Sequence, residues 1–138
     1  MGRTVTAVGV LDKAFLLLDL VAEQPRTLRA LVEASGLSKA TAHRLAAALE
    51  GHGMLRRDGQ GRYHLGLASL AYAAAARASL PLEQAAQAAL ADLRNTAGES
   101  AQLYVRRGQE RICVLSLESA HGLRTIVRAG EALPLDMG

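Results

Sequence analysis

The stretch from residue 27 to residue 66 constrains the fold most, because two short amphipathic segments in it are followed at once by a basic hairpin. The segments meet at Ala34-Ser35-Gly36-Leu37, where a tight turn between helices needs the positive φ that glycine adopts without a steric clash. Ser38 is a good N-cap for the second segment. Helix, tight turn, helix and hairpin in this order predict a winged helix-turn-helix, whose second helix is shaped to enter a DNA major groove.

The second segment presents two different faces at helical spacing. The residues of its apolar face are Ala42, Leu45, Ala46 and Leu49. On the opposite face, Lys39, His43 and Arg44 are long or polar enough to reach base edges. Ser38 and Thr41 lie in the first turn, where their hydroxyls and the N-terminal amides of the helix are placed to bind phosphates.

The hairpin is predicted by Asp58-Gly59-Gln60-Gly61, four turn-forming residues between two short runs. Its arginines suit contacts with the neighbouring DNA backbone or minor groove. They are Arg56, Arg57 and Arg62. For any one of these charges, a solvated surface residue is a competing interpretation, whereas the motif and the shared helix face together favour DNA contact.

The charge distribution agrees with a nucleic-acid contact in the first half of the chain. Residues 1–66 hold nine Lys or Arg against six Asp or Glu, whereas residues 67–138 hold seven of each. The formal net charge of +3 is ordinary for a soluble domain and decides little by itself. The longest stretch without a charged residue runs from Tyr63 to Ala76, which is too short and too rich in Ala and Gly to span a bilayer. We therefore expect a cytoplasmic protein with no membrane partner.

The sequence contains no recognisable catalytic or metal-binding constellation, so we expect neither an enzyme nor a cofactor. The four histidines have no cysteine partner and no spacing typical of metal ligands. The glycines at 59 and 61 belong to a hairpin with no helix behind it, so they do not indicate a phosphate-binding loop. Cys113, the single cysteine, lies in an apolar run, which predicts a buried small hydrophobic residue; redox sensing is the alternative.

A first helix is predicted at 8–23, after a short tail at 1–6. Its broad apolar face consists of Val10, Leu11, Ala14, Leu17, Leu18 and Val21, extended by Phe15, Leu16 and Leu20. Two interpretations of this face stay open: contact with another subunit, and complete burial within its own domain. Pro25 ends the helix and biases Gln24 away from the α region. Thr27 then caps the next helix, whose inward residues are Leu28, Leu31 and Val32.

The Ala-rich stretch at 66–80 predicts a linker helix, which Pro81 breaks. Its apolar stripe consists of Leu67, Leu70, Ala71, Ala74 and Ala78. Another helix at 82–97 ends at Gly98. Its expected inward residues are Leu82, Ala86, Ala89, Leu90 and Leu93. The predicted divisions are a winged helix-turn-helix domain at 1–66, a linker helix at 67–80 and an α+β domain at 81–138.

Three strands are predicted in the last division, at 102–106, 111–118 and 123–128. The residues expected to pack on the preceding helix are Leu103, Val105, Leu115 and Leu117. One helix covers one face of such a sheet, so the other face and the strand edges are expected to stay open. We interpret the division as unfinished, in a fragment or a truncated gene product. The alternative is a complete division whose open face is covered by dimerisation.

The residues GLSKATAHRLAAALEGHGMLRR and GRYHLG resemble the helix-turn-helix and wing of IclR-type bacterial transcription regulators. The similarity continues through the linker helix, AGESAQLYVRRGQERICVLSLES and AGEALPLDMG. Alone, the run at 36–45 is a moderately specific indication of this family. The indication becomes strong when the wing, the linker and Gly-x-x-x-Pro-Leu at 130–135 are added. The resemblance implies an α+β chain with a winged helix-turn-helix domain, a linker helix and the beginning of a GAF-like effector-binding domain. It also implies that most of the effector pocket lies beyond residue 138.

The resemblance further implies a sequence-specific transcriptional regulator, with repression as the expected mode, that binds a palindromic operator in double-stranded DNA as a dimer. A homodimer or homotetramer is expected, and a small-molecule effector only if the effector domain is complete. The alternatives are a truncated regulator without effector sensing and a winged-helix protein-interaction module. Salt-dependent binding to duplex DNA distinguishes a DNA-binding regulator from the interaction module.

Overall fold

The computed structural model describes residues 8–119 and 127–136. The chain forms two compact units, with the boundary between Ala75 and Ala76. The elements in chain order are α1 (Gly9–Glu23), β1 (Arg26–Thr27), α2 (Leu28–Ser35), α3 (Lys39–Gly51), β2 (Leu55–Arg57), β3 (Arg62–Leu65), α4 (Leu67–Ala78), α5 (Pro81–Ala97), β4 (Ala101–Arg107), β5 (Glu110–Leu117) and β6 (Ala132–Pro134). This mixture of helices and small antiparallel sheets confirms the predicted α+β class. The predicted tail at 1–6 lies outside the described residues.

The ends of the first three helices are set by residues that the sequence singles out. Gln24 is extended after α1, as the following proline requires. The hydroxyl of Thr27 accepts a hydrogen bond from the backbone N–H of Ala30 and caps α2. Gly36 ends α2 in the left-handed region, at φ 67°, and its N–H donates to the carbonyl oxygen of Val32 at 3.0 Å.

The hairpin belongs to a three-stranded sheet in the order β1-β3-β2. The sequence predicts the two hairpin strands and the four-residue loop between them correctly. The third strand, β1, is missed, because it consists of only two residues that precede a helix. In β1, Arg26 pairs with Tyr63 and Thr27 pairs with Arg62, so the sheet is joined to the start of α2. This sheet is called the wing below.

The core of the first unit lies where α1, α2, α3 and the wing meet. Its buried residues are Leu17, Leu18, Val21, Leu31, Ala46, Leu55 and Tyr63. The N-terminal half of α1 does not join this core, since Val10 and Phe15 are 58% and 59% exposed. Within the described residues, the interpretation that α1 is completely buried in its own domain is therefore wrong. The stripe of α4 is likewise exposed, and Leu70 has 67% of its surface accessible.

The second unit packs α5 against a three-stranded sheet in the order β4-β5-β6. The hairpin between β4 and β5 turns at Gly108, which has a φ of 63° and lies between the strands predicted at 102–106 and 111–118. The short strand β6 is missed by the sequence prediction. The strand predicted at 123–128 lies largely outside the described residues. Leu90 of α5, with Ala101 and Leu115 of the sheet, forms the buried cluster.

A β-bulge changes which residues of the sheet face α5. Leu103 pairs with Leu115, but Tyr104 pairs with Cys113, so Val114 is left without a partner in the ladder. The predicted packing of Leu103, Leu115 and Leu117 is confirmed. The predicted packing of Val105 is wrong, because this side chain is 37% exposed and is not part of the cluster that packs on α5.

The face of the sheet opposite Leu115 is not fully open, which corrects another expectation. By the ladder register, Cys113 shares a face with Tyr104 and lies on the other side from Leu103 and Leu115. Cys113 is nevertheless fully buried, as the sequence predicts for this residue. Its burial raises the pKa of the thiol above its ordinary value.

The apolar stripe of α5 is narrower than predicted. Leu90 is buried and Ala86 packs against it, four residues earlier on the same face. The predicted inward positions Leu82, Ala89 and Leu93 are wrong, because they are exposed. A helix on one small sheet buries only the residues directly above the strands, so positions at the border of the face remain outside.

No helix within residues 8–119 and 127–136 has both the length and the apolar character that a membrane span requires.

Candidate nucleic-acid interface

Helix α3 exposes one face because its other face is the inner wall of the first unit. Ala42 and Ala46 have no accessible surface, and the small side chains let α3 approach the core closely. The intervening residues Lys39, His43 and Arg44 are all exposed. The structure thus brings together on one surface the three side chains that the sequence predicts for base contact.

These three side chains are not held by the protein. Within the described part of the chain, Lys39, His43 and Arg44 take part in no ion pair and in no side-chain hydrogen bond. A free ammonium or guanidinium group keeps all of its donors for a ligand. The exposed face also carries Ala40 and Ala47, whose small side chains permit close approach. Such a face can bind a surface rich in acceptors.

The start of α3 is fixed by Ser38 and Thr41. The hydroxyl oxygen of Ser38 accepts a hydrogen bond from the backbone N–H of Thr41 at 3.2 Å, which confirms the predicted N-cap. The same Ser38 hydroxyl donates to the Thr41 hydroxyl oxygen at 2.9 Å. The Thr41 hydroxyl therefore keeps its own proton for a further acceptor, whereas the Ser38 proton is already used.

The wing holds two of its three predicted arginines through carboxylates of the protein. Arg57 donates to both carboxylate oxygens of Glu50, at 3.2 Å each, and its guanidinium lies 5.3 Å from the centre of the Tyr63 ring. Arg62 donates through Nε to Asp58 at 2.9 Å. Arg56 is exposed and has no ion pair among the described residues. Of the three, Arg56 is the cation with all of its donors available.

Asp58 organises the wing loop through both carboxylate oxygens. Oδ1 accepts the backbone N–H groups of Gln60 and Arg62 at 2.9 Å each. Oδ2 lies 2.9 Å from Nε2 of His64 and accepts from the Arg62 side chain. The hydrogen bond from His64, followed by the backbone N–H of Arg62, holds the pKa of Asp58 well below its ordinary range. The carboxylate thus stays ionised and fixes the loop.

A cleft of about 410 Å³ lies beside α3, between it and the exposed half of α1. Its lining residues are Val10, Lys13, Thr41, Arg44 and Leu45. The cleft adds Lys13 to the cations near α3, and this residue is not among those that the sequence predicts for DNA contact. One signal points to it: Lys13 is the single basic residue of helix α1. Its significance depends on tertiary packing, which no local pattern supplies.

Among residues 8–119 and 127–136, no group of three or more His, Cys, Asp or Glu side chains is placed to hold a metal ion. The thiol of Cys113 is buried in the second unit. The chemistry of the described surface therefore lies in its cations and hydroxyls.

Comparison with known proteins assigns the first unit. The family model for the IclR helix-turn-helix domain matches residues 10–59. Over these residues the chain is similar to the IclR helix-turn-helix domain. The match includes α1 from its second residue, α2, α3 and two strands of the wing, β1 and β2, so the predicted resemblance is confirmed.

Two curated relatives extend the similarity beyond this domain. The HTH-type transcriptional regulator KipR of Bacillus subtilis is 33% identical over 127 residues, which are 91% of this chain and 51% of KipR. The HTH-type transcriptional regulator XynR of Escherichia coli is 28% identical over 127 residues, which are 90% of this chain and 50% of XynR. The chain thus spans about half the length of the curated relatives it matches.

A solved structure shows the same fold. The IclR transcriptional regulator from Alicyclobacillus acidocaldarius superposes with a TM-score of 0.77 at 27% identity, over 94% of this chain and 54% of that one. The predicted fold, a winged helix-turn-helix followed by a linker helix and the start of a GAF-like α+β domain, is confirmed by this similarity.

Proposed function

We propose that the chain is a sequence-specific DNA-binding transcriptional regulator, with repression as the expected mode. The observation that carries this proposal is the exposed face of α3, on which Lys39, His43 and Arg44 are free of ion pairs within the described residues. Cations without carboxylate partners suit a polyanion, because no existing salt bridge must be broken on binding. The relatives KipR and XynR are named as HTH-type transcriptional regulators, in agreement with this function.

In the proposed complex, α3 lies in the major groove and its three long polar side chains contact base edges. Arginine and lysine are suited to the acceptors of guanine, and the alanines of the face allow the helix to approach closely. Thr41 offers its hydroxyl proton to a phosphate, together with the amide groups at the start of α3. Ser38 contributes chiefly by capping the helix, since its hydroxyl donates to Thr41.

The wing contacts the DNA backbone or the adjacent minor groove through its arginines. Arg56 does so directly, with a free side chain. Arg57 and Arg62 contribute while they remain attached to Glu50 and Asp58, because a guanidinium has five N–H donors and each ion pair occupies only one or two of them. We expect these paired arginines to position the wing as well as to bind phosphate.

We further propose that the protein acts as a dimer in the bacterial cytoplasm, as a homodimer or within a homotetramer. The supporting observation is the apolar surface exposed on α1 and α4, including Phe15 and Leu70. Apolar patches of this kind commonly mark protein interfaces. A dimer presents two copies of α3 to half-sites about 34 Å apart, or a multiple of that distance, which calls for a palindromic operator. A small-molecule effector belongs to a complete effector-binding domain.

Selection of bound fragments from the source genome, followed by titration of a labelled duplex, tests the function. We expect the selected fragments to share an inverted repeat, and the affinity to fall steeply as salt is raised. A scrambled duplex of the same length serves as the control and should bind more weakly. If no duplex binding is detected even at low salt, the DNA-binding function is excluded and a protein-interaction module is favoured.

A further inference from the structure

We propose that the cleft between α1 and α3 seats a phosphate of the DNA backbone, and that Lys13 is a DNA-contacting residue. This inference rests on the proposed function, since it names a contact within the same complex. The cleft is lined from two separate helices by Lys13, Thr41 and Arg44, each of which carries a hydrogen-bond donor at the end of its side chain. Three donors with no competing acidic residue in the lining form a site for an anion.

The state of these donors supports an external ligand. Lys13 is exposed and takes part in no ion pair within the described residues. Thr41 receives a hydrogen bond from Ser38, so its own hydroxyl proton is left for another acceptor. The remaining lining residues, Val10 and Leu45, are apolar and offer the anion no competing partner.

The position of the cleft on α3 indicates which phosphate it would hold. At 3.6 residues per turn, Thr41 and Glu50 lie about 180° apart around the helix axis. The exposed alanines at 40 and 47 lie between these two flanks. The wing is attached on the flank of Glu50, through its ion pair with Arg57, and Lys13 lies on the flank of Thr41.

A helix in the major groove has one sugar–phosphate backbone on each side, and these belong to opposite strands. The wing arginines therefore face the backbone of one strand, and Lys13 faces that of the other. Contacts on both flanks fix the rotation of α3 about its own axis. Lys13 accordingly acts on affinity and orientation and carries no sequence information of its own.

The first test is the salt dependence of duplex binding by the full chain carrying Lys13→Gln. Loss of one phosphate contact should reduce the slope of log affinity against log salt by about 0.9 for each binding half-site. The loss should be equal on operator and scrambled duplexes. Lys13→Arg keeps the charge and should retain the slope. Arg106→Gln removes one exposed positive charge from the second unit and should leave the slope unchanged.

The second test locates the contact by replacing single operator phosphates with neutral methylphosphonates. Each methylphosphonate that removes a contact should lower the affinity of the wild-type protein for the duplex. For Lys13→Gln, the methylphosphonate at one position in each half-site should lower the affinity no further. For Arg56→Gln, the methylphosphonate that causes no further loss of affinity should lie at a different position, on the opposite strand. If the methylphosphonates that no longer affect Lys13→Gln and Arg56→Gln lie on the same DNA strand, the proposed placement of Lys13 is overturned.

The outcomes separate this inference from the function on which it rests. Wild-type protein without salt-dependent duplex binding would contradict the proposed function itself. Wild-type binding together with an unchanged slope for Lys13→Gln, or an equal change for Arg106→Gln, would overturn the role of Lys13 alone. A thermal unfolding curve that matches that of the wild type shows that the Lys13→Gln variant is folded.

Discussion

Glu50 in the last turn of α3 and Arg57 on β2 are joined by two hydrogen bonds of 3.2 Å, from Nε to Oε1 and from the terminal NH2 group to Oε2. The Arg57 guanidinium also lies 5.3 Å from the centre of the Tyr63 ring. The proposed recognition helix and the wing are thus connected by side chains in addition to the backbone. This connection also raises the pKa of Arg57, chiefly through the hydrogen bond with Glu50.

This ion pair predicts that Glu50 and Arg57 together keep the wing strands ordered. In Glu50→Gln, amide hydrogen exchange of the wing strands should quicken, because Arg57 loses the ion pair that holds it. Arg57→Gln should have a similar effect, and combining the two should add little more. Fully additive effects on exchange would show that the pair does not hold the wing.

The hydrogen bonds of Asp58 predict a pH dependence confined to the acid range. The pKa of this carboxyl is lowered in the folded protein, so the ionised form binds His64 and the loop more strongly than the acid form. Its stabilising contribution is complete above the ordinary pKa of about 3.8 and is lost progressively as the pH falls toward the lowered value.

Asp58→Asn measures this contribution. The melting temperature of the variant should lie below that of the wild type at pH 6, and the difference should shrink as the pH is lowered through about 4. Thermal unfolding by circular dichroism at several pH values is the measurement. A difference that stays constant down to pH 3 would show that the ionised form of Asp58 has no special role.

Two glycines in the first unit should respond in opposite ways to alanine. A Cβ at Gly66 would lie 2.0 Å from the carbonyl oxygen of Gly53, a backbone atom that cannot move away alone. Gly66→Ala should therefore cost at least about 2 kcal/mol of unfolding free energy. Gly51→Ala is the matched control, since a Cβ there meets nothing within 4 Å and helical alanine is favoured by up to about 1 kcal/mol. Equal stability of both variants in denaturant titrations would contradict the packing at Gly66.

The exposed stripe of α4 predicts a dimer that one charge should weaken. Leu70 is 67% exposed in a single chain, so Leu70→Glu should keep the fold while placing a carboxylate in the proposed interface. Sedimentation at micromolar concentration should show a dimer for the wild type and a shift toward monomer for this variant. Ala76→Glu, on the opposite side of α4, should leave the dimer intact. A monomeric wild type, or equal weakening by both variants, would contradict this interface.

The sequence predicts the features that local chemistry determines. Pro25, Gly36 and Ser38 set the helix ends of the first unit because each controls its own backbone or caps the next helix. Features that depend on distant pairing are missed or wrong. Val105 is 37% exposed because the packing on α5 includes Ala101 and Leu103 of β4 but not Val105, and nothing within β4 signals where this contact ends.

In the candidate interface too, local sequence predicts some features and contacts between separate elements determine the others. The exposed face of α3 is readable from its helical period, since its buried side contains an unbroken row of apolar residues. The ion pairs of Arg57 and Arg62 and the cleft at Lys13 arise from contacts between separate elements. These contacts become visible only when the helices and strands are assembled.

The most direct test of base reading by α3 is the ratio of affinities for operator and scrambled duplexes, measured for the wild type and Arg44→Ala. We expect Arg44→Ala to weaken operator binding by about 1–3 kcal/mol and to relax base preference at one or two positions, with a smaller loss on the scrambled duplex because Arg44 also lines the phosphate cleft. The matched control Arg57→Ala should weaken both duplexes similarly. An equal loss on both duplexes for Arg44→Ala would contradict base reading by α3.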